Sequence, residues 1–286
     1  MVDKGLLRYD ANVVDYWPEF GQNGKDSLKL EDILRHEGGL TTFKHSFQWD
    51  QFLRENIKEN VIGKVIESCK AEYPAGHCNP DGTPSKRSYH AVTRGFVLNE
   101  IVRRVDPKGR TIGEICSEDL ELEDLYCGID DNHMNQITML DAKSRRWVVS
   151  QSVLPYFLGS KVHVSFPDLY NLVKYTQGNR ERLGPQKPSI ANMPKDPWLH
   201  HTVFEQTAIR KGEIPSANFH GNARSLAKLA SAMANKGQCA DSNKRMFSEI
   251  TWEKMHAAGK WAADALLGNN FKFTFSDDIS ASISII

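Results

Sequence analysis

The sequence lacks an excess of charge of either sign. Its 286 residues carry 36 Lys and Arg against 36 Asp and Glu. A protein that holds nucleic acid on a basic surface needs surplus positive charge to displace counterions, so no nucleic-acid partner is expected. Long apolar runs are also missing. A membrane helix needs about 18 consecutive apolar residues. The longest candidate, Trp147 to Leu158, is broken by Ser150, Gln151, Ser152 and Pro155. Residues 1–20 carry Asp3, Lys4, Arg8, Asp10 and Asp15 and do not read as a signal peptide. Cysteine is sparse: Cys69, Cys78, Cys116, Cys127 and Cys239, with no C-x-x-C pair and no Asn-x-Ser/Thr acceptor. Both absences lean toward a reducing compartment. What is present is a globular composition, 40% hydrophobic, which excludes a disordered chain.

Common chemical signatures are absent too. There is no G-x-S-x-G, no Walker loop, no G-x-G-x-x-G and no H-E-x-x-H. His36-Glu37-Gly38 is only a fragment of the last. The spacings of His77, Cys78 and His90, and of His200 and His201, match no metal-ligand frame, so no metal and no cofactor are expected. Ser225-Leu226-Ala227-Lys228 spells S-x-x-K, a string that chance supplies about once in a chain of this size. Its leucines make an ordinary amphipathic helix.

Helical period and caps dominate the rest. A short helix is expected within Ser27–Gly38, stopped by Gly38-Gly39, and a longer one over Trp49–Lys70. Residues 73–88 are rich in Pro and Gly and read as loop. Ala91, Gly95, Leu98, Val102 and Val105 recur with helical spacing. Thr111-Ile-Gly-Glu114 is a capping-box pattern that starts another helix. Asn222 is read as the cap of a helix with Leu226, Leu229, Ala230 and Met233 inward. Thr251 is read as the cap of a last helix reaching Leu266. Strand alternation is scarce, limited to Phe271–Phe275 and a possible segment in 145–165, and most of 126–215 follows no pattern.

Five segments then carry a resemblance. Gly5-Leu6-Leu7 with Val14-Asp-Tyr-Trp17-Pro18-Glu19-Phe20, Leu30-Glu-Asp-Ile-Leu34-Arg-His36-Glu-Gly-Gly39-Leu40, Tyr89-His90-Ala91 with the following helix, Thr111-Ile-Gly-Glu-Ile115 and Gly221-Asn-Ala-Arg-Ser225-Leu-Ala-Lys-Leu-Ala230 stand in order. Together they resemble the serine beta-lactamase-like family, the group of class C beta-lactamases, penicillin-binding proteins and esterases. The wording of Trp17–Phe20 and Tyr89–Ala91 is most similar to animal beta-lactamase domain-containing proteins.

The resemblance implies a serine hydrolase of small-molecule esters or amides. In that family a serine and lysine in S-x-x-K supply nucleophile and base, a Y-x-N loop brings a phenol to the serine, and a K/H-x-G strand lines the opposite wall. Tyr89 occupies the second-motif position and is expected at the rim of a groove, just before a helix starting near Ala91, with its hydroxyl unburied. Ala91 stands where the family has Asn. No S-x-x-K precedes Tyr89, and the third motif, expected after Phe273, is replaced by Ser276-Asp-Asp-Ile-Ser280. The expectation is therefore a mostly helical α+β fold, a partial beta-lactamase/transpeptidase-like domain over 1–275 with its antiparallel sheet largely missing, followed by a Ser/Ile-rich tail at 276–286. It is expected to start downstream of the nucleophile and to be inactive in this form. The alternative is a non-catalytic interaction or assembly protein on the same helical region. Substrate, compartment and oligomeric state stay open.

Overall fold

The computed structural model describes residues 1–45, 47–73, 87–120, 122, 124–139, 204–239, 244–257, 259–264 and 270–275. The possible strand in 145–165, His77, Cys78, His200, His201, Leu266 and the tail at 276–286 lie outside them.

The fold is mixed α+β. Among the described residues the helices are α1 (Leu30–Leu34), α2 (Arg54–Lys58), α3 (Val61–Ser68), α4 (Thr93–Val105), α5 (Ile112–Asp119), α6 (Thr207–Lys211), α7 (Ala223–Ala234) and α8 (Glu249–His256). The described strands are two or three residues long. β1 (Leu125–Cys127) pairs antiparallel with β2 (Phe219–Gly221), placing Tyr126 opposite His220. β3 (Ala262–Ala263) pairs antiparallel with β4 (Asn270–Phe271).

The segment expected as one helix over 49–70 is divided. A 3-10 turn at Trp49–Phe52 leads into α2, and Asn60 at φ +64° separates α2 from α3. Asparagine tolerates this left-handed conformation because its side chain can bond locally. Here the Asn60 amide nitrogen donates to Glu67 Oε1 (3.0 Å), and its Oδ1 accepts from Arg103 (3.2 Å) and Arg104 (2.7 Å) of α4. Glu67 also accepts from Trp17 Nε1 at 2.9 Å, and the Arg104 guanidinium lies 3.9 Å over the Trp17 ring.

α4 crosses the centre of the core. Its buried residues include Phe96, Val97 and Ile101, rather than the expected row of Leu98, Val102 and Val105, which are half-buried. Phe96 stacks on Phe52 at 5.3 Å, with Phe47 edge-on to both. Each such ring contributes about 1.5–3 kcal/mol by leaving water. The helix also buries Asn99 and Glu100, whose polar groups are paired. Asn99 donates to Glu213 Oε2 (3.2 Å) and accepts from the Ile112 amide (2.7 Å). Glu213 further accepts from Arg54 and from the Thr111 hydroxyl, both at 2.7 Å. This one carboxylate ties α2, α4 and α5 together.

The capping box of α5 forms as read from sequence: the Thr111 hydroxyl accepts from the Glu114 amide and Glu114 accepts from the Thr111 amide. Asn222 caps α7 by accepting from the Ser225 amide at 2.8 Å. The inward face of α7 differs from expectation. Ser225 and Ala232 are buried, while Leu226 is exposed. The last helix begins earlier and ends earlier than expected. Ser248 is its cap, and Ala262 and Ala263 lie in β3.

Candidate active site

Tyr89 sits in the connection between Arg87 and α4. It is half-buried, and α4 begins at Thr93, two residues beyond the expected Ala91. The connection is fixed from both sides by one residue, His36. The Ser88 amide donates to the His36 carbonyl oxygen at 3.3 Å, and the His90 amide donates to His36 Nδ1 at 2.9 Å. Between these two bonds the rings of Tyr89 and His36 meet with centroids 4.6 Å apart. His36 is fully buried and adopts φ +62°, a conformation in which histidine is more common than most side chains. The edge of Phe273 closes the far side of its ring at 4.9 Å.

His90 continues the network. Its Nε2 accepts from the Leu40 amide at 2.8 Å. Burial first, with the Arg94 guanidinium adding to it, holds its imidazole well below the ordinary value, so it is neutral at physiological pH. His90 thus serves the loop, and among the described residues no cluster of His, Cys, Asp and Glu is placed to hold a metal.

Arg87 anchors the start of the same connection. Its guanidinium is paired with Glu37 and donates to the carbonyl oxygens of Lys260 (3.2 Å) and Phe271 (2.9 Å). The loop after α1, the start of the connection bearing Tyr89 and the paired strands β3 and β4 therefore meet at the Arg87 guanidinium. In the sequence His36-Glu37-Gly38 reads only as a fragment of H-E-x-x-H. The structure brings His36 and Glu37 to Tyr89 and its flanks, a contact across 53 positions of chain that no local pattern signals. Ser225 does not join them through its capping bond. Its amide belongs to the first turn of α7.

A family model described as Beta-lactamase matches residues 1–272, and the chain belongs to that family. Esterase/beta-lactamase LipL of Mycobacterium tuberculosis (strain ATCC 25618 / H37Rv) is 26% identical over 240 residues, covering 83% of this chain and 47% of that protein. The chain thus spans about half the length of this curated relative. Among solved structures, a penicillin-binding protein homolog from Caulobacter crescentus is similar with a TM-score of 0.64 at 26% identity, over 96% of this chain and 61% of the other. A family VIII carboxylesterase is similar with a TM-score of 0.66 at 21% identity, over 96% of this chain and 61% of its own, a likeness of fold. Among the described residues no helix is long and apolar enough to cross a membrane.

Proposed function

We propose that this chain carries the Tyr89 region of a serine hydrolase acting on small-molecule esters or amides. The observation that carries the reading is the double fixation of the Tyr89 connection by His36 within a chain of this family. A phenol that takes a proton from a serine and returns it to a leaving group must be held to within a fraction of an ångström, and a fully buried bracket supplies that. We take residues 1–275 as the unit concerned, with 276–286 outside it. The short described strands support a sheet that is largely missing from this chain.

The 286 residues contain no S-x-x-K ahead of Tyr89 and no K-x-G anywhere. Loss of a catalytic serine removes about a millionfold of rate. The purified chain is therefore expected to give no saturable turnover of a p-nitrophenyl ester or a nitrocefin-like lactam. Saturable turnover that disappears in Tyr89→Phe would overturn the inactivity, and Ser225→Ala beside it tests the α7 serine. A longer product carrying S-x-x-K ahead of residue 1 is expected to hydrolyse the ester and to lose about 10²–10⁴ in kcat on Tyr89→Phe. If it hydrolyses nothing, the hydrolase reading is wrong.

A non-catalytic assembly role is the second reading. It is favoured by the exposure of Leu226 (53%), Ile250 (65%) and Trp261 (63%), large apolar side chains left in water.

A further inference from the structure

Three interactions from one side chain and its own carbonyl bracket Tyr89. His36 accepts a hydrogen bond from the amide on each side of the tyrosine and sets its ring, tilted, against the phenol between them. We propose that His36 is the positioning residue of Tyr89, acting through its bare Nδ1 on the His90 amide and through its ring face on the phenol ring. The inference rests on the reading of Tyr89 as the proton-relay residue and names what holds it in place.

The geometry specifies the imidazole. An amide N–H can donate only to a ring nitrogen that carries no proton, so Nδ1 is the acceptor and the proton of the neutral ring sits on Nε2. The Arg94 guanidinium, 3.3 Å from Nε2, cannot donate to that protonated nitrogen and instead donates to the Leu34 carbonyl oxygen at 3.2 Å. The groups facing the ring are thus Arg94 from α4, His90 and Tyr89 from the connection, and Phe273 from the segment after β4. Movement of His36 would release both neighbours of Tyr89 at once, because Ser88 is bonded to its backbone and His90 to its side chain. Folding stability alone does not require this. A buried apolar ring could fill the same space, but it offers no acceptor at the Nδ1 position.

Two substitutions separate the acceptor from the ring. Asparagine places its Oδ1 where Nδ1 was and tolerates φ +62°. Alanine supplies neither group. The experiment is NMR on the full 286-residue chain with ¹⁵N-histidine and ¹³C-tyrosine. In the unsubstituted chain His36 is expected to show a bare Nδ1, a protonated Nε2 and a coupling from Nδ1 to the His90 amide. A proton on Nδ1 overturns the proposal without any variant. In His36→Ala the Tyr89 ring signals are expected to shift and broaden while those of Tyr126 hold. In His36→Asn the His90 amide is expected to return to its original position, with the Tyr89 ring signal displaced only by the lost ring contact. Ile209→Val, a core change remote in sequence from the loop, is expected to lower the denaturation midpoint and leave Tyr89 unmoved. Unchanged Tyr89 signals in His36→Ala, or no recovery of the His90 amide in His36→Asn, overturn the proposal. Should His36→Ala not fold, the unsubstituted chain and His36→Asn decide. No turnover is read, so a failure here is distinct from a failure of the hydrolase assay.

Discussion

Arg87 pairs with Glu37 although its guanidinium has no contact with solvent. The same guanidinium donates to two carbonyl oxygens of the β3–β4 region, at Lys260 and Phe271. A buried ion pair contributes little over an apolar pair of equal shape, but removing one partner leaves the other charge unpaired.

Arg87→Met is accordingly expected to destabilise the chain by about 3–5 kcal/mol, read as a lower urea midpoint with unchanged slope. Arg87→Lys should recover only part of this. A single ammonium cannot serve the carboxylate and both carbonyl oxygens in the fork geometry of arginine. A cost below about 1 kcal/mol for the methionine variant would mean that the β3–β4 pair is held by other contacts.

Asp32 bears on stability in the opposite sense. It is the third residue of α1 and accepts from the Lys29 amide at 2.8 Å. Burial nevertheless pushes its carboxyl up to about 6, with Glu37 and Glu31 adding to the effect. A carboxyl raised in the folded state binds its proton more tightly there than in the unfolded chain. Folding is then unpenalised below the unfolded value near 4 and loses stability as pH rises from about 4 to about 6. Asp32→Asn keeps the capping oxygen and removes the charge. It is expected to stabilise the chain by about 1–3 kcal/mol at pH 7 and by little at pH 4. Equal effects at both pH values would refute the assignment.

Arg110 contributes to the acid side of the profile through two carboxyls. Hydrogen bonds from its guanidinium hold Asp106 well below the usual carboxylate range and, with Lys4, hold Asp119 down at about 2. Both carboxyls are depressed, so their stabilisation is present above about pH 4 and is lost as pH falls toward 2. The total lost over that window is expected to be roughly 2–4 kcal/mol. In Arg110→Met the stability of the chain should change much less between pH 4 and pH 2, whatever its absolute loss. A slope equal to that of the unsubstituted chain would assign the acid sensitivity elsewhere.

Sequence and structure agree where a motif is closed within a few residues. Thr111 and Glu114 satisfy each other's amides, and Asn222 reaches the Ser225 amide, so both helix starts are legible. They part where a residue answers to a distant partner. Asn60 breaks an otherwise helical run because its side chain bridges Glu67 and the two arginines some forty positions on. Asn99 and Glu100 lie outside the apolar row Ala91, Gly95, Leu98, Val102 and Val105, yet they are buried against groups supplied by Glu213, Arg103 and Arg104. The candidate site divides in the same way. Tyr89 is singled out as the candidate by the family wording of its neighbours. His36 was not legible as its partner, because an unusual backbone angle and a ring contact across the fold leave no period or spacing in the sequence.

Gly113 offers the sharpest test of that long-range packing. It lies in the first turn of α5, where Thr111 and Glu114 close the capping box. A Cβ there would stand 2.3 Å from the Cys127 carbonyl oxygen of β1 and 2.5 Å from Glu213 Oε1. Neither neighbour can yield freely. The first is backbone in the β1–β2 pair, and the second is the carboxylate that Arg54, Asn99 and Thr111 all hold. In an exposed helix Gly→Ala stabilises by up to about 1 kcal/mol. Here the same change must push α5 off β1 or dislodge Glu213, and overpacking of this kind costs about 1–3 kcal/mol. Gly113→Ala is therefore expected to destabilise, with the loss read in a urea titration. Adding Glu213→Gln to it tests the mechanism. If Glu213 is what the methyl group displaces, the two losses will fall short of additive, since the first has already loosened what the second weakens. Full additivity of the pair would put the clash at the Cys127 carbonyl rather than at Glu213, and stabilisation by Gly113→Ala would show that α5 does not approach β1 as closely as described.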